Sequence, residues 1–160
     1  MVHGFRSFAL MMFGSLSLFG TAGHAHGAEP SCRDVRGTFT VHTTTGADCQ
    51  SPVGLCGTVE WRGDLRATSS FVATSSIDTV DSPITSVLVF TGDASVSTRG
   101  GTLLTKDAIV FRLTGSGDFA EVDTIVGGTG AFASASGAWR ASGTFSGNVG
   151  EGRYEGRICL

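Results

Sequence analysis

Several residue types that carry catalysis or binding are scarce in this 160-residue sequence. It has one lysine, one tyrosine, one asparagine and one glutamine, and charged residues make up only 16% of it. The ten arginines form no run and the formal net charge is −3, so no surface for nucleic acid is expected. Hydrophobic residues still make up 41%, which argues against disorder. The length is that of one domain with a sizeable core.

The first 28 residues have the pattern of a secretory signal peptide. Arg6 supplies a positive charge, and the apolar stretch from Ser7 to Phe19 follows. Residues 20–22 and 23–25 then each place small residues three and one positions before a cleavage site. The apolar stretch is shorter than the roughly 20 residues that a membrane-spanning helix needs, and no later segment is long or apolar enough to be one. We therefore predict a secreted or periplasmic protein that does not span a membrane, with one domain at residues 29–160.

Histidine is nearly absent once that segment is set aside. His42 is the only histidine after residue 28, so a three-histidine zinc site cannot form, and a Ser-His-Asp or Cys-His arrangement would depend on His42 alone. The sequence predicts no metal and no cofactor.

All four cysteines, by contrast, lie in the predicted domain. An even number of cysteines in an exported chain favours disulfides over metal binding. Three pairings are possible, of which we predict Cys49–Cys56, closing a short loop, and Cys32–Cys159, joining the two ends of the domain. These two bonds would stabilise a closed domain by linking its ends and one of its loops.

Apolar and polar residues alternate repeatedly along the chain. This alternation is typical of β-strands with one solvent-exposed face. The predicted strand runs are 39–42, 58–67, 69–77, 86–98, 102–113, 119–126, 138–145 and 153–159. Glycine-rich or proline-containing turn signals separate most of them, including 81–83, 99–101, 115–117, 127–130 and 147–150. No helical stripe extends beyond about two turns. The pattern predicts an all-β domain of about eight antiparallel strands, either a barrel or a sandwich.

The segment from Asp123 to Gly137 carries a resemblance to a known superfamily. Its Ile-Val-Gly-Gly-Thr-Gly-Ala-Phe string, followed by small residues, resembles the glycine-rich segment of dirigent proteins and allene oxide cyclases. The Cys49–Cys56 loop and the ending Tyr154 to Leu160 resemble those of small secreted bacterial members of that superfamily. The resemblance implies a single eight-stranded antiparallel β-barrel of calycin type with an internal cavity, and a homo-oligomer (trimer or dimer), since plant members are often trimeric.

The resemblance also implies chemistry by confinement of an apolar, reactive molecule. Allene oxide cyclases fold an epoxide for ring closure around a water held by a glutamate and asparagines, and dirigent proteins steer radical coupling with aspartates in the pocket. Here Asn148 is the only asparagine, and it lies in a glycine-flanked turn. The cyclase water site is therefore not reproduced as those enzymes have it, and the aspartates of the chain are not assigned to particular dirigent positions.

Four titratable residues are candidate catalytic groups. Glu121 and Asp123 are two residues apart, so they share a strand face and raise each other's pKa, unless solvent at the barrel rim or amides of the following turn hold them. Glu60 belongs to a face of alternating charges that forms either a polar cavity wall or a solvated surface. His42 is either a general base or an exposed residue at a strand end.

The predicted function is the binding of a small hydrophobic ligand inside the barrel. The predicted ligand-binding residues are Leu88, Phe90, Ile109, Phe111 and Trp139. One alternative is a cyclase or dirigent-type guide that controls ring closure or coupling of a reactive apolar intermediate. Another is a structural envelope protein with no ligand.

Overall fold

The chain forms a closed antiparallel β-barrel of eight strands, in which each strand pairs with its neighbours in sequence and the last pairs with the first. The computed structural model describes residues 30–78, 87–112 and 117–160. The strands are β1 (Cys32–Thr44), β2 (Cys56–Gly63), β3 (Ala67–Asp78), β4 (Val87–Thr98), β5 (Gly101–Arg112), β6 (Asp118–Gly128), β7 (Ser136–Ser146) and β8 (Val149–Cys159). This confirms the predicted all-β barrel and settles the choice between barrel and sandwich.

Period-two alternation decides which side chains face the interior. In β5, Leu103, Thr105, Asp107 and Ile109 are buried, whereas the residues between them are exposed. The same alternation in every strand sends aromatic and aliphatic side chains into one central core.

A single turn of 3-10 helix, Gly130–Phe132, joins β6 to β7 at the predicted glycine-rich turn. Gly130 adopts a φ of +59°, and a Cβ there would lie 2.4 Å from the carbonyl oxygen of Gly100. Glycine is therefore required both for the conformation and for the close approach. The turn brings Phe132 back over this end of the barrel, where it is buried.

Both predicted disulfides are present. Cys32–Cys159 joins the first residue of β1 to the last residue of β8, where the two cysteines also face each other in the strand register. Cys49–Cys56 closes the loop that leads into β2. Among the described residues no helix is long and apolar enough to cross a membrane.

The predicted run 58–67 is wrong at its far end. β2 stops at Gly63, whose φ is +111°, and Asp64 accepts a hydrogen bond from the Arg36 backbone N–H at 3.0 Å. Leu65 then enters the core, where its N–H donates to the Tyr154 hydroxyl at 2.8 Å. The predicted signal peptide, the turn signal at 81–83 and most of the one at 115–117 lie outside the described residues.

Candidate functional site

The barrel encloses a cavity of about 50 Å³, lined by side chains from β1 to β7 and from the loop before β2. Most of the wall is aromatic or aliphatic, including Trp61, Phe71 and Phe90. Phe111, Phe119 and Phe145 line it too and pack together with ring centroids 4.8–5.6 Å apart. Such a volume holds about four water-sized groups.

Three carboxyl groups meet in this apolar interior. Asp107 of β5 and Asp123 of β6 are direct partners in the strand register, and Glu121 lies two residues before Asp123 on the same face. One carboxylate oxygen from each lies within 4.8 Å of the others. We call Asp107, Glu121 and Asp123 the carboxyl cluster.

Burial raises the pKa of every member of the carboxyl cluster. It raises the pKa of Glu121 to about 8, with the charge of Asp107 adding to the effect. The pKa of Asp123 lies well above its usual range, mainly because of burial and then because of the charges of Glu121 and Asp107. Burial raises the pKa of Asp107 as well, although hydrogen bonding with Asp123 and the nearby Thr105 opposes part of the change. The cluster therefore keeps protons at neutral pH, and Asp123 shares one with its neighbours.

Among the described residues, four buried polar atoms at the cavity have no hydrogen-bond partner outside the carboxyl cluster and Thr105. They are Oδ1 of Asp107, Oδ2 of Asp123, Oγ1 of Thr105 and Nε1 of Trp139. Their residues are only 2–4% exposed, and all four line the cavity. The other interior tryptophan is satisfied, because Nε1 of Trp61 donates to Ser69 Oγ at 2.9 Å. A buried donor without a partner, such as the Trp139 indole N–H, is costly, and the convergence of buried polar atoms on one apolar cavity is typical of a binding site.

Close backbone packing holds Trp139 in place beside the cluster. Trp139 pairs with Asp123 on one side and with Gly156 on the other. A Cβ at Gly156 would lie 2.3 Å from the Trp139 Cα. The indole also meets Trp61 edge-on, with ring centroids 5.7 Å apart. The indole N–H is thus positioned by a rigid wall.

Two of the four predicted catalytic candidates face the cavity and two do not. Glu121 and Asp123 share a face as predicted, and that face points into the cavity. The interpretation that solvent at the rim or turn amides hold the pair is wrong for Asp123, which is 3% exposed inside the barrel. Glu60 points outward and pairs with exposed Arg62 at 3.1 Å, so its face of alternating charges is a solvated surface. His42 is exposed near the end of β1.

Four of the five predicted ligand-binding residues, Phe90, Ile109, Phe111 and Trp139, line the cavity. Leu88 is the exception, since it is half-buried, packs against the core and is not part of the cavity wall. The β-bulge in β3, between Ala73 and Ser75, shifts the pairing next to this part of β4.

Sequence reasoning missed Asp107 and Thr105. A usable signal existed, because both alternate with exposed residues in the same strand as Ile109 and Phe111, which were predicted to face the cavity. A polar residue in the series of positions that alternation assigns to the inner face is the signal that would have identified Thr105 and Asp107.

Comparison with known proteins finds no protein family, no curated protein and no solved structure that the chain matches.

Proposed function

We propose that the barrel binds a small molecule with an apolar body and one polar group, which the carboxyl cluster receives. The observation that carries the proposal is the convergence, inside an apolar cavity, of the carboxyl cluster and a buried Trp139 indole N–H that has no partner among the described residues. A ligand that satisfied them would remove an unfavourable contribution to the free energy of folding. The apolar walls would supply the remaining binding energy.

The volume of the cavity limits the ligand. About 50 Å³ corresponds to a ligand of roughly four or five non-hydrogen atoms. At a ceiling of about 1.5 kcal/mol per atom, such a ligand binds with micromolar to millimolar affinity. Larger ligands would require Phe111, Phe119 and Phe145 to move.

Export to an oxidising compartment is part of this proposal. The two disulfides are typical of secreted and periplasmic proteins. Together with the signal-peptide pattern of residues 1–28, they favour a role outside the cytoplasm.

An isomerase or cyclase of the kind that the superfamily resemblance implies is the second candidate. Glu121 favours it, because a carboxyl group with a pKa of about 8 can donate or accept a proton near neutral pH. The small cavity weighs against a large reactive substrate. The third candidate is a structural envelope protein that binds no ligand.

We expect 1-butanol, which has an apolar body and one hydroxyl, to change Trp139 and Trp61 emission in a saturable way. The indoles line the cavity, so a ligand there alters their surroundings. The test variant is Ala94→Leu, which adds volume inside the cavity, and the control is Ala120→Leu on the exposed face of β6. The first should weaken binding at least fivefold and the second should leave it unchanged.

An equal response of both variants would place the alcohol outside the barrel. No saturable response at all, with intact secondary structure by circular dichroism, would rule out the binding proposal and favour the structural reading.

A further inference from the structure

We propose that the polar group of the ligand is a primary ammonium, so that the barrel binds a small alkylamine in its cationic form. This inference rests on the proposed binding function and names the chemical class of the ligand. It starts from the charge of the cavity. Three carboxyl groups line it, and among the described residues that form its wall none is lysine, arginine or histidine. The interior therefore lacks a positive partner for its acids.

The geometry of the carboxyl cluster fits an ammonium. A primary ammonium has three N–H donors, and the cluster offers one oxygen from each of three carboxyl groups. The three oxygens of the cluster all lie within 4.8 Å of one another, close enough for one ammonium nitrogen to contact all three.

Trp139 supplies an observation that is independent of the acids. Its indole N–H has no partner among the described residues, and the residue is only 2% exposed at the same cavity. Thr105, whose hydroxyl bonds to Asp107, can accept a further N–H at Oγ1. An ammonium would favour the ionised form of Asp123, which is the strand partner of Trp139, and a carboxylate accepts an indole N–H more strongly than a carboxylic acid does.

The walls fit the rest of an alkylamine. Trp61, Phe71 and Phe90 line the cavity together with Trp139, and aromatic faces attract cations as well as alkyl groups. A hydrated divalent cation fits less well, because Ca²⁺ takes six to eight oxygen ligands and Mg²⁺ keeps several waters. Most of this wall offers neither oxygen ligands nor polar contacts for such waters.

The test compares three ligands of equal chain length at pH 7.5: n-butylammonium, 1-butanol and butyrate. The amine is cationic at this pH. Binding to the full barrel domain is followed by tryptophan emission and by ¹H–¹⁵N chemical shifts. We expect the dissociation constant of n-butylammonium to be at least tenfold lower than that of 1-butanol, and butyrate to show no saturable binding.

Glu121→Gln is the test variant and Glu151→Gln the matched control, because Glu151 is exposed on β8. Glu121→Gln should remove most of the preference for the amine over the alcohol, whereas Glu151→Gln should keep it. Asp107→Asn is the second test variant, with the same expected loss, in case Glu121→Gln does not fold.

The outcomes separate the two proposals. Equal affinity for n-butylammonium and 1-butanol would overturn the ammonium inference and leave the binding function intact. Absence of binding by either would overturn both. Saturable binding of Ca²⁺ or Mg²⁺ that excludes n-butylammonium would overturn the inference in favour of a metal site.

Discussion

Individual residues in the barrel interior show how burial converts ordinary acids into unusual ones. Glu121, Asp123 and Asp107 lie among aromatic side chains, where the charged form of a carboxyl group is poorly solvated. Exposed Asp34 behaves in the opposite way, because its ion pair with Arg157 lowers its pKa. The position of a carboxyl group relative to the barrel wall therefore decides its chemistry.

We predict that the folded protein loses stability as the pH rises from about 4.5 to about 8. The pKa of Glu121 is raised from 4.5 to about 8, so the folded state keeps a proton that the unfolded state releases in this range. The contribution is fully present below about pH 4.5 and falls by about 1.4 kcal/mol per pH unit for one such group. The raised pKa values of Asp107 and Asp123 act in the same direction.

Thermal unfolding between pH 5 and pH 8 measures this effect. Glu121→Gln removes one titrating group, so the midpoint temperature of the variant should depend less on pH than that of the natural sequence, while Glu151→Gln should not change the dependence. Identical dependence of the midpoint temperature on pH in all three proteins would contradict the prediction that Glu121 keeps its proton in the folded state.

At the scale of elements, the turn between β6 and β7 sets the position of β6, which carries Glu121 and Asp123, relative to β5, which carries Asp107. Gly127 and Gly130 both have positive φ, and the register of β5 with β6 shifts between Leu104 and Thr105. Beyond this shift Asp107 comes to lie opposite Asp123. The glycine-rich turn and the irregularity beside it thus set the pairing on which the site depends.

We predict that Gly130→Ala destabilises the barrel by at least about 2 kcal/mol. The added Cβ would lie 2.4 Å from the Gly100 carbonyl oxygen, in a left-handed conformation that already costs about 1–2 kcal/mol for a residue other than glycine. Gly147→Ala is the matched control, because its φ is +62° but a Cβ there meets nothing within 4 Å.

Urea unfolding of the two variants separates the clash from the backbone conformation. Gly147→Ala should lose only about 1–2 kcal/mol. Equal losses in both variants would mean that the close approach to Gly100 has no energetic consequence.

At the scale of the whole molecule, closure of the barrel joins the two ends of the chain. β1 pairs with β8 along eleven residue pairs, and Cys32–Cys159 fixes the end of this ladder. The homo-oligomer implied by the superfamily resemblance stays a prediction. The outer wall does expose aliphatic side chains of β5 and β6, namely Leu104, Val110, Val122 and Val126.

We predict that the two disulfides stabilise the barrel unequally. Cys32 and Cys159 are 127 residues apart, whereas Cys49 and Cys56 are 7 apart. On the loop-entropy relation the first contributes about 5 kcal/mol and the second about 2.5 kcal/mol. Urea unfolding of the two paired Cys→Ser variants should therefore show the larger loss for Cys32→Ser with Cys159→Ser. A larger loss from the short loop would show that loop entropy does not govern either bond.

The sequence by itself determined the strands, the disulfides, the glycine-rich turn and the shared face of Glu121 and Asp123. These features follow from local rules: period-two alternation, cysteine number and spacing, and the conformational freedom of glycine. Gly63 shows a limit of these local rules. The alternation of apolar and polar residues continues past Gly63 in the sequence, but the strand ends there and the chain turns.

Only the tertiary structure decided that this shared face points inward and that Asp107 joins it. Alternation says which residues share a face but not which face is buried, and strand register depends on closure of the whole barrel. The cavity volume is likewise the small space left when aromatic side chains from distant strands meet. No single strand contains that information.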